Sequence, residues 1–438
     1  MTRRPHATVR ALIAGAICLA AIIAPPPVAA ADVTWGTPTA TSTWAKGIDF
    51  RQPAGLQGDV VRVELLIDAQ RSAGPLVRVV PTGATGNTTL SYFLETTSGG
   101  LLPNTQMTAR WRVVARDGTA SLGPSLSVRY ADTRFTWQTR ADSLVRVHWY
   151  EGGAAFGDRA LQIGTRAVAT AGRLLGVTET EPVDFFVYAS QAAFYDALGP
   201  GTRENVGGQA DAATRTLFAL ITPGEINASW VEVVIAHELT HLVFDTAVAN
   251  PYHFPPRWLN EGLAVYLAQG YEASDRSAVE RAVAAGALMP LTSLAGQFPT
   301  TAGRFALAYA QSVAAVDHLV RQHGEAALVR LIRSYAGGVT DDEAFRSALG
   351  TDLAGFDAAW RSGLNAKEPV AYGPQPAPGG PLPPDWTAGG GAVATSSPGG
   401  SRPDAMMAVV LLIAGAVALV VGLGALVVRN RRRGGPDA

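Results

Sequence analysis

The chain has 438 residues, 47% of them hydrophobic and 16% charged, which excludes wholesale disorder and leaves apolar material for more than one folded domain. Its 35 Lys and Arg stand against 36 Asp and Glu, so no charge excess draws it toward nucleic acid or another polyanion. No nucleic-acid partner is expected, and nothing in the sequence sets an oligomeric state.

Residues 1–31 have the layout of a secretory signal peptide: Arg3, Arg4 and Arg10, an apolar run from Ala11 to Ala24, then small residues around Val28-Ala29-Ala30-Ala31. Cleavage is expected near Ala31, because the apolar run is shorter than the ~20 residues a membrane span needs. Cys18, the single cysteine, lies in this run, so the processed body has no thiols and its core must hold it without disulfides.

Residues 32–139 read as short strands separated by Gly, Pro, Asn and Ser clusters. Val61, Val63, Leu65 and Ile67 alternate with Arg62 and Glu64; Met107, Ala109, Trp111 and Val113 alternate with Arg110 and Arg112; Leu126, Val128 and Tyr130 repeat the pattern. With Asp117-Gly118 as a turn, this predicts an all-β sandwich that resembles immunoglobulin or fibronectin type III modules in size and spacing. Residues 140–365 change grammar. Val145 to Trp149, Val183 to Tyr188 and Thr216 to Ile221 read as strands, Ala154 to Leu175 as a helix, and nearly everything after Ser229 as helical, which predicts an α+β domain with a helical C-terminal lobe.

Residues 366–404 are rich in Pro, Gly and Ser and read as an extended stalk. Residues 405–428 are uncharged and long enough for one transmembrane helix, and Arg429, Arg431, Arg432 and Arg433 open a basic tail, 429–438. Positive charge stays on the cytoplasmic side, so a single-pass protein of the cell membrane with its body outside is expected.

His237-Glu238-Leu239-Thr240-His241 is an H-E-x-x-H match, which has chemical content on a helix, where residues four apart share a face. Ser229 and Glu232 form a capping-box pattern ahead of it, and neither Pro nor Gly falls between Ser229 and Asn250. Both imidazoles can then meet one zinc ion, with Glu238 beside them as general base. A third ligand is needed. Phe244 and Ala247 stand where a metzincin would carry Gly and His, which excludes that class. Glu261 is the better candidate, on a second helix expected from Trp258 to Gln269 that returns over the first.

Taken with Trp258-Leu259-Asn260-Glu261-Gly262, the motif resembles the gluzincin peptidases, the clan of thermolysin and the zinc aminopeptidases, and most of all its bacterial peptidase-MA-like branch. The resemblance spans roughly Leu144 to Leu364. It implies a zincin-like metallopeptidase domain with one zinc on His237, His241 and Glu261, water activation by Glu238, and a protein or peptide substrate. It also implies that Asp245 orients a ligand, unless it is an ordinary polar helix residue, and that Tyr309 is the oxyanion donor, unless it is a core residue. The G-x-M-E-N segment with which zinc aminopeptidases grip a free amino terminus is missing. Val206-Gly207-Gly208-Gln209-Ala210 stands in its place, where the glycines either admit a substrate backbone or make a turn. Endopeptidase action is therefore expected. The rivals are an adhesion or assembly module on a silent metal domain, and a zinc amidase acting on a non-peptide cell-envelope substrate. His253, His318 and His323 read as loop or solvated-face residues.

Overall fold

The computed structural model describes residues 32–368, apart from 71, 73, 82–84, 98–100, 200–206 and 251–253. The expected signal peptide, the stalk beyond residue 368, the membrane helix, the basic tail and His253 lie outside the described residues. Among the described residues no helix is long and apolar enough to cross a membrane.

The N-terminal part is built of sheets. β1 (Asp32–Trp35) and β2 (Thr39–Thr43) follow one another along one edge of β3 (Gly47–Gln57). Two further strands, β4 (Val60–Ala69) and β5 (Leu76–Val80), precede β6 (Gly86–Glu95), which takes the other edge of β3. The second sheet runs β5, β4, β7 (Thr105–Ala115), with β8 (Ala120–Leu122) and β9 (Leu126–Tyr130) sharing the far edge of β7. Every pairing is antiparallel. Alternation turns Ile48, Phe50 and Leu56 of one sheet toward Val63, Leu65, Ile67, Met107, Ala109, Trp111 and Val113 of the other, and the two faces close on one core.

Val61 departs from the expected pattern. The β4–β7 register shifts between Val60 and Arg62, so Val61 turns outward and is 45% exposed. The Asp117-Gly118 turn forms as read: Gly118 has φ +85°, and Asp117 Oδ1 accepts the Thr119 N–H at 2.9 Å.

A mixed sheet follows, in the order β10 (Gln138–Ala141), β11 (Val145–Trp149), β12 (Val183–Tyr188), β14 (Thr216–Leu220), β13 (Gly208–Asp211). β10 crosses the expected division at 139/140. The three central strands are parallel and the two edge strands antiparallel to their neighbours. α1 (Ala154–Leu175) makes the crossover from β11 to β12 and ends on Gly176, whose left-handed φ of 64° lets its N–H reach the Gly172 carbonyl.

The residue alternation of this sheet divides its two faces. Val145, Val147, Phe185, Leu217 and Ala219 join the helical core, while Phe186, Tyr188 and Phe218 point the other way, against α2 (Gln191–Leu198) and against Trp44, Leu102, Phe135 and Trp137. The N-terminal sheets thus cover the back of the mixed sheet. Asn104 pins the junction: its Nδ2 donates to Asp184 Oδ2 at 2.8 Å and Thr216 Oγ1 at 2.9 Å, and its Oδ1 accepts from Arg129 at 2.7 Å.

The rest is helical: α3 (Ser229–Val248), α4 (Arg257–Ala268), α5 (Ala273–Ala284), α6 (Ala302–His323), α7 (Glu325–Ser334), α8 (Asp341–Leu349) and α9 (Leu353–Gly363). The expected capping box does not form. Ala228 is the cap residue and Ser229 already lies inside α3, while Glu232 is drawn across to Arg166 at 2.8 Å and Arg159 at 3.4 Å on α1. Gly262 lets α4 lie against α6, since a Cβ there would sit 2.4 Å from the Ser312 carbonyl oxygen.

Candidate metal centre

Along α3, Val231, Ile235, Leu239, Leu242 and Val243 are buried in the helical core. His237 and His241, one turn apart, meet Glu261 from the first half of α4, which packs against α3. His237 Nε2 and His241 Nε2 are 3.2 Å apart, and Glu261 Oε2 lies 3.4 Å from the first and 3.6 Å from the second. Ligand atoms about 2.0–2.1 Å from a tetrahedral zinc are about 3.3 Å from each other, so this donor set fits the ion in number, type and spacing.

Charge follows from the same closeness. Burial works against a charged His237, but its hydrogen bond to Glu261 and the charges of Glu238 and Glu261 outweigh that and hold its pKa above the ordinary value. Burial alone would raise the Glu261 carboxyl, yet the His237 hydrogen bond, both imidazoles and Arg257 bring it down to about 2. A carboxylate kept ionised beside two ring nitrogens is a cation-binding set.

Two of the three donors, His241 and Glu261, are held from behind. His241 Nδ1 lies 2.9 Å from Asn260 Oδ1, the arrangement that leaves Nε2 facing the cluster. Glu261 Oε1 accepts from Arg257 Nε at 3.1 Å and Nη2 at 3.0 Å. The sequence reading assigns neither Asn260 nor Arg257 a role. Two signals were there: an amide next to the ligand carboxylate, and an Arg–Glu pair at helical i, i+4 spacing.

Glu238 turns to the edge strand. In the β13–β14 ladder the Leu220 N–H donates to the Gly207 carbonyl at 2.9 Å, so by antiparallel alternation Gly208 and Ala210 direct their backbone groups outward. The Ala210 N–H donates to Glu238 Oε2 at 2.9 Å. A Cβ on Gly208 would lie 2.9 Å from Glu238 Cγ and 3.1 Å from Val234 Cγ1, so this glycine makes room for the Glu238 stem. Gly207 faces open space.

Tyr309, on α6, is half-buried beside Phe298 and Phe305, and its ring centroid is 6.3 Å from that of His237. Burial and the Glu261 charge push its phenol pKa up, with Arg257 opposing, so the hydroxyl keeps its proton. Asp245 lines a cavity of about 520 Å³ with Thr246, Asn250 and Phe254, and the bond to His241 comes from Asn260 instead. His318 is not on a solvated face: it is half-buried with its ring centroid 5.8 Å from that of Phe356, whereas His323 is exposed.

A sheet-rich N-terminal domain followed by a helical domain with a His-His-Glu cluster defines a zinc metallopeptidase of the gluzincin type. Residues 163–366 match the family model described as the Peptidase MA superfamily. Among solved structures the chain is similar to an M1 zinc metallopeptidase from Deinococcus radiodurans, with 14% identity, a TM-score of 0.36, and coverage of 78% of this chain and 95% of that one. It is also similar to an aminopeptidase N family protein from Idiomarina loihiensis, with 10% identity, a TM-score of 0.35, and coverage of 75% and 72%. No curated protein matches.

Proposed function

We propose that this zinc metallopeptidase is an endopeptidase whose zinc is held by His237, His241 and Glu261, with Glu238 as general base and Tyr309 as oxyanion donor. The observation that carries the reading is the convergence of His237 Nε2, His241 Nε2 and Glu261 Oε2 within 3.2–3.6 Å, with Glu238 one position from the first imidazole and bonded to none of the three. Zinc with three protein ligands and an open position lowers the pKa of a water toward ~7 and polarises a carbonyl.

The side chains supply the rest. Glu238 takes the proton of the attacking water, and the Ala210 N–H fixes which of its oxygens faces the edge strand. The Tyr309 hydroxyl, protonated and carried on a ring whose centroid is 6.3 Å from that of His237, can donate to the oxygen on which charge develops. An extended substrate can run along β13, where Gly208 and Ala210 present outward backbone groups. Asp211, the acidic residue of β13, is turned to Thr214 by two hydrogen bonds of 2.7 Å. Internal cleavage is favoured by the sequence, in which no G-x-M-E-N segment occurs to hold a free amino terminus.

The sandwich, with three strand lines over four, suits the fibronectin type III reading and serves as the cover of the mixed sheet. For residues 1–31 and 405–438 the support is the sequence alone, and it favours an extracytoplasmic body on a membrane anchor. External protease on intact cells should then remove the body, and a protected body would reverse the orientation.

The deciding experiment compares the parent with Glu238→Gln on peptides with blocked and free amino termini. Zinc content and thermal stability should match, while activity falls ~10²–10⁴-fold in the variant and the parent cuts blocked peptides. Equal activity of the two proteins removes Glu238 from the mechanism, and a parent that acts only on free termini removes the endopeptidase reading.

A further inference from the structure

We propose that Arg257 is a positioning residue that makes Glu261 a one-oxygen ligand and so keeps the fourth position of the metal open. This rests on the zinc reading above. Arg257 Nε and Nη2 both donate to the same atom, Glu261 Oε1, at 3.1 and 3.0 Å. An ionised carboxylate oxygen has about two acceptor sites, so the fork fills Oε1 and leaves Oε2 as the atom that meets His237 and His241.

An i, i+4 pair on an open helix face is weak and mobile, and would hold nothing in place. Here the clamp is itself held. The Arg257 N–H donates to the Ala295 carbonyl at 2.7 Å, Nη1 donates to Gln297 Oε1 at 3.3 Å, and the guanidinium lies 4.7 Å over the Phe298 ring. The arginine side chain is only 22% exposed. Its position is thus set by the segment between α5 and α6 as much as by α4. Without the fork, Oε1 is free to swing in beside Oε2 and occupy the place a water needs. A lysine in its place has a single point of donation and cannot reproduce the planar fork.

The test uses the full chain as parent, Arg257→Ala and Arg257→Lys. Each is titrated with zinc against a competing chelator, and each is loaded with Co²⁺, whose visible absorption weakens as coordination number rises. Arg257→Ala should bind zinc about 10–100-fold more weakly and show weakened cobalt absorption, with Arg257→Lys between it and the parent. If Arg257→Ala does not fold, the lysine variant decides by the same two readouts. Parent-like affinity and cobalt spectra in the variants, with or without a drop in thermal stability, overturn the proposal and leave Arg257 a structural residue. A parent that binds no zinc removes the zinc reading and this proposal together.

Discussion

The N-terminal sandwich and the α3–α4 pair bury similar apolar side chains, yet they treat polar groups differently. In the sandwich the β4 and β7 alternation sends Val63, Leu65, Trp111 and Val113 inward, and the buried Glu64 of β4 is paired within its own sheet by Arg62 and Arg112. In the helical part α3 carries His237, Glu238 and His241 among apolar neighbours, and of these Glu238 and His241 are answered from other elements: Ala210 on β13 and Asn260 on α4. The sandwich is specified mainly by what it excludes from water, the metal region by what it pairs across elements. A truncation should therefore cost stability in the first and function in the second.

Trp111→Ala is the largest expected stability change. The side chain is fully buried between the two sheets, and removing it should cost roughly 3–5 kcal/mol of unfolding free energy, read from denaturant titration. Below the transition the folded variant should bind zinc as the parent does. Loss of zinc affinity in the folded variant would mean that the two regions are not separable in this way.

Gly208→Ala probes the other side of the comparison with a smaller change. The added methyl must displace Glu238, because Cγ and Val234 Cγ1 stand within 2.9 and 3.1 Å of it, while the three ligand atoms lie elsewhere. A misplacement on the order of 1 Å can lower turnover ~10²-fold, with zinc content unchanged. Full activity in this variant would show that the edge strand moves aside freely and that the Ala210 contact does not hold Glu238.

This contrast also explains what could be read from the sequence. α1 over Ala154–Leu175 and β12 over Val183–Tyr188 are found where local periodicity and flanking glycine or proline place them. α4 starts at Arg257, one residue before the expected Trp258, because Pro256 takes the cap position. His237, His241 and Glu261 come together because two short motifs on neighbouring helices contain all the information needed. The hydrogen bonds behind them are not local: Ala210 to Glu238 spans 28 positions and Asn260 to His241 spans 19. The same blindness misplaces Glu232, whose partners Arg159 and Arg166 lie on a helix some 70 positions earlier, beyond the reach of any capping pattern.

The junction between the two regions should respond to acid, and more gently than either variant above. Asp184 lies there with its side chain 13% exposed, beside His148 Nε2 at 3.1 Å, Arg146 at 3.4 Å and Asn104 Nδ2 at 2.8 Å. Burial pushes its carboxyl up, but His148, Asn104 and Arg146 together outweigh burial and leave the pKa below the ordinary value. A carboxylate whose pKa is lower folded than unfolded contributes stability that is complete above the unfolded value, about 3.9, and is lost as pH falls through the folded value. Asp184→Asn keeps the shape and removes the charge. The difference in unfolding free energy between parent and variant should therefore shrink as pH falls below about 4. A gap that stays constant into acid would mean that Asp184 holds the junction by shape and hydrogen bonding alone.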